Sequence, residues 1–219
     1  MNLLNKDFLN IHPNTFGTEN VSLFLYSLIK TQRPSKLLEI GGGYSTFFIV
    51  QAIKDILNEI KTIKYTLEIN SEFWESKYNP SLDLIENEVE NNTSLTIIYN
   101  NLKKFKLDTF VNILKQDYTE ITNNKHYDFI WLDVGSGKNL PYLFQKFFNI
   151  LTEGGILIIH STLTNLYGKL FITELKLEIS KGRYPNIELI SFLEPHKQSQ
   201  NSFTVIKKTL NNPIYSIYA

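Results

Sequence analysis

Leu37-Leu38-Glu39-Ile40-Gly41-Gly42-Gly43-Tyr44-Ser45-Thr46 is the stretch whose reading decides the fold. Lys36 to Ile40 is a short apolar run with no helical period, and it stops at three glycines. From about Ser45 to Glu59 the apolar residues Phe47, Phe48, Val50, Ile53 and Leu57 return with a helical spacing. The local order is therefore strand, glycine turn, helix. Open α/β sheets bind ligands outside the carboxyl ends of their strands, and glycine there lets the backbone approach a ligand closely. An acid such as Glu39 at that end can hold a cationic amino group. The plainer alternative is a tight strand-to-helix turn without a ligand.

Outward from this stretch the pattern repeats. Upstream, Val21, Leu25, Leu28 and Ile29 predict a helix that opens near Thr18 and stops at Arg33-Pro34-Ser35. Downstream, Ile63 to Ile69 reads as the second strand, ending in Glu68-Ile69-Asn70. Between 71 and 110 the expectations are a helix over Leu82 to Val89, a strand over Leu95 to Tyr99, and a loop or short helix over Phe105 to Phe110. That length suggests an inserted strand or hairpin. Val111 to Leu114 is a third core strand, leading to Asp117 and Tyr118. Asp128 to Leu132 is a fourth, ending at Asp133 and followed by Gly135-Ser136-Gly137. Leu140, Leu143, Phe144, Phe147 and Phe148 mark the next helix. Glu153-Gly154-Gly155 reads as a turn before a buried strand, Ile156 to Ile159, that ends at His160. A helix over Leu166 to Lys181 and strands over Ile187 to Leu193 and Ser202 to Lys208 complete the order.

Strand–helix alternation predicts a Rossmann-like, doubly wound α/β sheet that is mostly parallel. The last two strands are joined too briefly for a helical crossover, so they should pair antiparallel. The 219 residues read as one domain, with residues 1–34 as a helical segment beside the substrate site and 211–219 as a C-terminal tail.

Composition narrows the function. Net charge is zero, so no global field favours nucleic acid or an anionic membrane. Cysteine is absent, which removes disulfides, thiolate catalysis and cysteine metal sites together. No run approaches the roughly 18 apolar residues of a membrane helix, and Met1 to Asn10 carries Lys6 and Asp7 and no apolar targeting core. The expectation is a cytoplasmic protein acting on a small molecule, with an aromatic tail, Ile214 to Tyr218, that offers a surface for a homodimer.

A dinucleotide fingerprint competes for the glycine turn. Gly41 and Gly43 fit G-x-G-x-x-G, but Thr46 stands where its third glycine belongs. An acid beside the first glycines would also repel a pyrophosphate. Both points favour a ligand without phosphate.

Glu39-x-Gly41-x-Gly43 after a strand resembles the first motif of class I S-adenosylmethionine-dependent methyltransferases. Gly43-Tyr44-Ser45-Thr46 is similar to the variant in small O-methyltransferases of the catechol type. The resemblance implies a seven-stranded sheet with an antiparallel last strand, and S-adenosylmethionine as cofactor. It implies that Glu39, Gly41, Gly42, Gly43, Tyr44 and Ser45 surround the amino-acid end of the cofactor. Glu68 would accept the ribose hydroxyls, since a carboxylate can receive two donors. Asp117 would receive the adenine amino group, unless it is a turn former, and Ile69 and Tyr118 would flank the ring. In the catechol type the aspartate corresponding to Asp133 helps bind a divalent metal, with an Asp-Asn pair after the next strand. Here that pair is His160-Ser161. Two oxygen ligands are missing, and hard cations prefer oxygen, so no metal is expected.

Asp133 then faces the methyl donor or the substrate, and His160 becomes the candidate general base, set against a plain core histidine. The reading is methyl transfer to a small-molecule acceptor, with oxygen favoured. Its rivals are an N-methyltransferase of a small molecule or peptide, a nicotinamide (NAD)-dependent oxidoreductase, and a catalytically silent binding domain. The substrate surface would be bounded by the N-terminal segment, residues 161–168 and the 194–201 loop. Glu194-Pro195-His196-Lys197 reads as an exposed loop, and Trp74 and Trp131 as core or adenine-pocket wall.

Overall fold

A computed structural model describes residues 17–62, 78–86, 94–122, 124–134 and 137–209. Seven strands form one sheet in the order β3-β2-β1-β4-β5-β7-β6: β1 (Lys36–Ile40), β2 (Ser81–Glu86), β3 (Val111–Lys115), β4 (Tyr127–Leu132), β5 (Leu151–His160), β6 (Ile187–Leu193) and β7 (Ser202–Lys208). β7 runs antiparallel to both β5 and β6, and the other pairings described are parallel. The chain groups into two compact units, one ending at Ile121 and the other beginning at Thr122. Among the described residues no helix is long and apolar enough to cross a membrane.

In the first unit, helix α1 (Glu19–Gln32) lies against α2 (Tyr44–Thr62). Val21, Leu25 and Ile29 recur at every fourth position and are fully buried. Tyr26 adds an O–H bond to Asp55 on α2 at 2.8 Å, and Lys30 and Arg33 both pair with Glu59. Burial first, then the Asp55 and Glu59 charges, push the Tyr26 phenol well above its ordinary range. Arg33 adopts a left-handed conformation (φ 51°) and its N–H bonds back to Ile29, which ends α1 before Pro34. The first half of α2 is buried on all sides, from Ser45 to Val50.

Two expectations for residues 71–110 are corrected here. The strand beside β1 is Ser81–Glu86, where a helix was expected over 82–89. Leu82, Asp83, Leu84 and Ile85 are all buried. A short strand covered on both faces has no alternation, so periodicity cannot separate it from a helix turn. Conversely, the run expected as a strand over 95–99 lies in α3 (Ser94–Lys104). Leu95, Ile98 and Leu102 form its buried stripe at helical spacing, visible only in a window longer than the apolar run itself. The run 63–69, read as the second strand, lies outside the described residues.

In the second unit, β4 and β5 pair in parallel with a register shift between Tyr127 and Phe129. The stretch 153–155, expected as a turn before the strand, is instead an irregularity inside β5, which begins at Leu151. Gly154 takes φ 76° there, the kind of position where an extra residue is absorbed. Helix α4 (Leu140–Asn149) buries Leu140, Leu143, Phe144, Phe147 and Phe148. Phe144 contacts Phe148, Phe171 and Tyr184 at centroid distances of 5.2, 5.7 and 6.0 Å, which ties α4 to α5 (Leu166–Ser180).

The start of α5 is packed at backbone distance. A Cβ at Gly168 would lie 2.2 Å from the carbonyl oxygen of Thr162. Gly43 is the opposite case, since a Cβ there would meet nothing within 4 Å. Gly168→Ala should therefore lower the thermal midpoint by several degrees, a loss of at least about 2 kcal/mol. Gly43→Ala should leave it within about 0.5 kcal/mol of the parent. Differential scanning calorimetry of the two variants checks both.

Candidate functional site

The glycine turn is built from one end of each of β1, β2 and α2. Gly41 takes φ 88°, which an L side chain rarely adopts, and its N–H donates to the Ile85 carbonyl at 3.0 Å. The Gly42 N–H donates to Glu86 Oε2 at 2.6 Å. The Gly43 N–H donates to Thr46 Oγ1 at 3.1 Å, a side-chain bond that satisfies an otherwise orphaned group at the start of α2. All three N–H groups are thus committed, one of them to a carboxylate. A pyrophosphate site needs such groups free to point at the anion, so this turn is poorly made for a dinucleotide.

The three glycines have different reasons. Gly41 is required by its backbone angle. Gly42 is required by packing, because a Cβ would lie 3.0 to 3.2 Å from the tips of Ile98 and Leu84. Gly43 faces open space and has neither constraint.

Glu39 is fully buried, one residue before the end of β1, and Ser45 Oγ donates to its Oε1 at 2.6 Å. Tyr44 is half-buried, and its ring lies 5.0 Å from Phe48. Burial, and then the negative Glu19, raise its phenol above the ordinary value. Asp117 follows β3 and caps the turn Tyr118–Glu120, accepting from the N–H of Thr119 at 2.7 Å and its hydroxyl at 2.6 Å. The turn-former reading of Asp117 therefore describes its Oδ1. Tyr118 is half-buried in that same turn.

Glu68 and Ile69 lie outside the described residues. The strand paired with β1 ends at Glu86, so Glu86 holds the strand-end position that the sequence reading gave to Glu68. This residue was missed because its strand was misread. The signal available was the sequence Leu82-Asp83-Leu84-Ile85-Glu86 itself, a short apolar run closed by an acid, as in Leu37 to Glu39.

In the second unit, Asp133 follows β4 directly and His160 is the last residue of β5. Their side chains meet, with His160 Nδ1 2.7 Å from Asp133 Oδ1. The imidazole is almost wholly buried while the carboxylate is about one-third exposed. The Asp133 carboxylate fixes the tautomer, because Nδ1 must carry the proton that it accepts, which leaves a lone pair on Nε2. Nε2 is buried and has no hydrogen-bond partner among the described residues. Trp131 is fully buried, with its ring 5.4 Å from that of His160, so it backs the imidazole as a core residue. Among the described residues no group of three or more His, Cys, Asp or Glu side chains could hold a metal ion.

The segment after His160 is held by buried hydroxyls. Ser161 has φ 56°, and its N–H donates to the Ser202 carbonyl at 2.6 Å. Thr162 Oγ1 and Thr204 Oγ1 are 2.6 Å apart, and Ser191 Oγ lies 3.0 Å from Thr204 Oγ1. Ser202 Oγ accepts from the Leu163 N–H at 2.8 Å. Asn165 caps α5 through the Gly168 N–H at 2.8 Å. This lattice was not legible in the sequence, where residues 161–168 read only as one edge of the substrate surface. The 194–197 stretch is also less exposed than expected. Lys197 is buried in an ion pair with Glu194 at 2.9 Å, while His196 is exposed.

The fold is similar to that of known structures. No family model matches the sequence, and no curated protein matches it. Among solved structures, the chain is similar to the O-methyltransferase TomG from Streptomyces achromogenes, solved in complex with SAM: 14% identity over 93% of this chain and 88% of that one, TM-score 0.65. It is similar to an O-methyltransferase from Bacillus cereus in complex with SAH, with 16% identity over 93% of this chain and 90% of that one, TM-score 0.62. A SAM-dependent O-methyltransferase from Thermotoga maritima gives 14% identity, 89% and 67% coverage, and TM-score 0.55. At these identities the likeness establishes the fold.

Thr204→Val would keep the shape of that buried lattice but strand the Thr162 hydroxyl. The expected loss is about 1 to 3 kcal/mol, read as a lower denaturant midpoint with an unchanged slope.

Proposed function

We propose that the protein is an S-adenosylmethionine-dependent methyltransferase that acts on the hydroxyl of a small molecule. The observation that carries this reading is the glycine turn. Its N–H groups are spent on protein acceptors, it is flanked by the carboxylates of Glu39 and Glu86, and its last glycine opens on free space. Those features suit a ligand with a cationic amino-acid end and oppose one with a pyrophosphate. Two of the similar O-methyltransferases hold SAM or SAH, which points the same way.

The residues fit such a cofactor in the following way. Gly41, Gly42 and Gly43, with Tyr44 and Ser45, would receive its amino-acid end, Gly43 giving closest approach. Glu39, held by Ser45, would supply negative charge there. Glu86 would accept ribose hydroxyls, with Asp117 and Tyr118 beside the base. The bound group would supply an electrophilic methyl on a sulfonium.

An alcohol or phenol must lose a proton as it attacks, whereas a neutral amine attacks first and loses its proton afterwards. A base therefore matters most for an oxygen acceptor. His160 would receive the hydroxyl proton at Nε2, and Asp133 would hold the ring in the required tautomer and stabilise the imidazolium that forms. Products would be the methyl ether, the demethylated thioether and one proton on His160.

Isothermal titration should detect S-adenosylhomocysteine binding by the purified protein. NAD binding without S-adenosylhomocysteine binding would reverse the choice. Gly43→Val should weaken that binding at least tenfold at unchanged thermal stability. On a panel of phenols and alcohols followed by S-adenosylhomocysteine release, His160→Ala should lower kcat by about 10² or more while cofactor affinity holds within twofold. Unchanged turnover would remove His160 from the reaction, and binding without turnover on any acceptor would favour a silent domain.

A further inference from the structure

Helix α5 covers the second unit with Phe171, Ile172 and Leu175 and leaves a second apolar stripe uncovered. Leu166, Leu170 and Leu177 are 66%, 52% and 51% exposed, and Thr173 between them is exposed as well. Their spacing is four, three, four. That is the d-a-d-a seam of a heptad repeat, the period at which two helices can keep one face together. Thr173 fits the seam because its hydroxyl is already bonded to the Lys169 carbonyl at 2.8 Å.

The flanks carry charge in a definite arrangement. Lys169 and Lys176 precede the two a positions, and Glu174 follows the d position at Thr173. Lys169 and Glu174 are exposed, and among the described residues neither forms an ion pair. In a parallel pair of helices, a residue before an a position faces the residue five places on in its partner. Lys169 would therefore face the second copy's Glu174, and by symmetry the same pair would form twice. Lys176 would face the second copy's Lys181, whose charge is already taken up by Glu178 at 3.1 Å. An antiparallel pair would set the two lysine flanks against each other. On the other flank, Tyr167 carries Lys138 over its ring at 5.1 Å.

We propose that this face of α5 is a symmetric docking surface for a second copy of the chain, with the helices parallel and Leu166, Leu170, Thr173 and Leu177 in the seam. The proposal is independent of the methyl-transfer reading. A 15-residue helix spans about 22 Å, so the contact is small beside the roughly 1,200 Å² of a stable interface. The dimer should be weak and reversible.

Sedimentation velocity between roughly 10 and 500 μM should show the weight-average mass rising towards twice the monomer. Lys169→Glu places two acids opposite each other, and Glu174→Lys two bases, so each variant should stay monomeric across that range. An equimolar mixture of the two variants should associate, because an acid then faces a base in both flanking pairs. Both positions are exposed, and circular dichroism checks that α5 persists. A wild-type chain that remains monomeric at the highest concentration overturns the proposal. So does a dimer that both single variants leave intact, which would place the contact elsewhere, for instance on the tail.

Discussion

The hydrogen bond from the Gly42 N–H to the Glu86 carboxylate joins the end of β1's turn to the end of β2. The rest of the first site depends on it. Gly41 continues the β1–β2 ladder by one more bond to Ile85. The carboxylate then receives the next N–H, and Thr46 the one after. All three N–H groups of the turn are therefore bonded within the protein. A charge-assisted bond of this kind is roughly twice as strong as a neutral one. It also occupies an N–H that a pyrophosphate site would need free to point at the anion.

The second unit solves a different problem, holding an imidazole in one tautomer at the end of a buried strand. Asp133 does this through Nδ1, and Trp131 backs the ring. The hydroxyls of Thr162, Ser191, Ser202 and Thr204 then fix the chain that leaves His160. Buried hydroxyls are tolerable because each finds a partner, and a lattice of this kind is costly to disturb.

Much of the fold is legible where local chemistry leaves a mark on the sequence. The run Leu37 to Thr46 announced a strand, a turn and a helix because apolar residues, glycines and apolar residues follow one another. The short link between β6 and β7 required antiparallel pairing, which the structure contains. Phe144, Phe147 and Phe148 announced α4 by their spacing. Over 81–104 the marks mislead, and two apolar runs exchanged identity. Leu82 to Ile85 is buried on both faces and has no period to read, and the stripe of α3 extends past the five residues that looked like a strand. That exchange concealed Glu86, because a strand-end acid can be recognised only after its strand is.

By itself the sequence determined the class of sheet, the glycine turn, and which strand ends carry Glu39, Asp117, Asp133 and His160. These follow from hydrophobic pattern, turn chemistry and chain order, which are local properties. Tertiary structure decided which of these groups are engaged and with what. It set Glu39 against Ser45, turned Asp117 onto its own backbone, brought Asp133 to His160 across 27 positions of chain, and put Glu86 at the turn 44 positions away. It also separated three glycines that look alike in sequence, one held by its backbone angle, one by packing, and one by neither. The physical reason is common to all of these. Hydrogen-bond partners and free volume depend on distances between segments remote in the chain, and those distances exist only once the strands are paired.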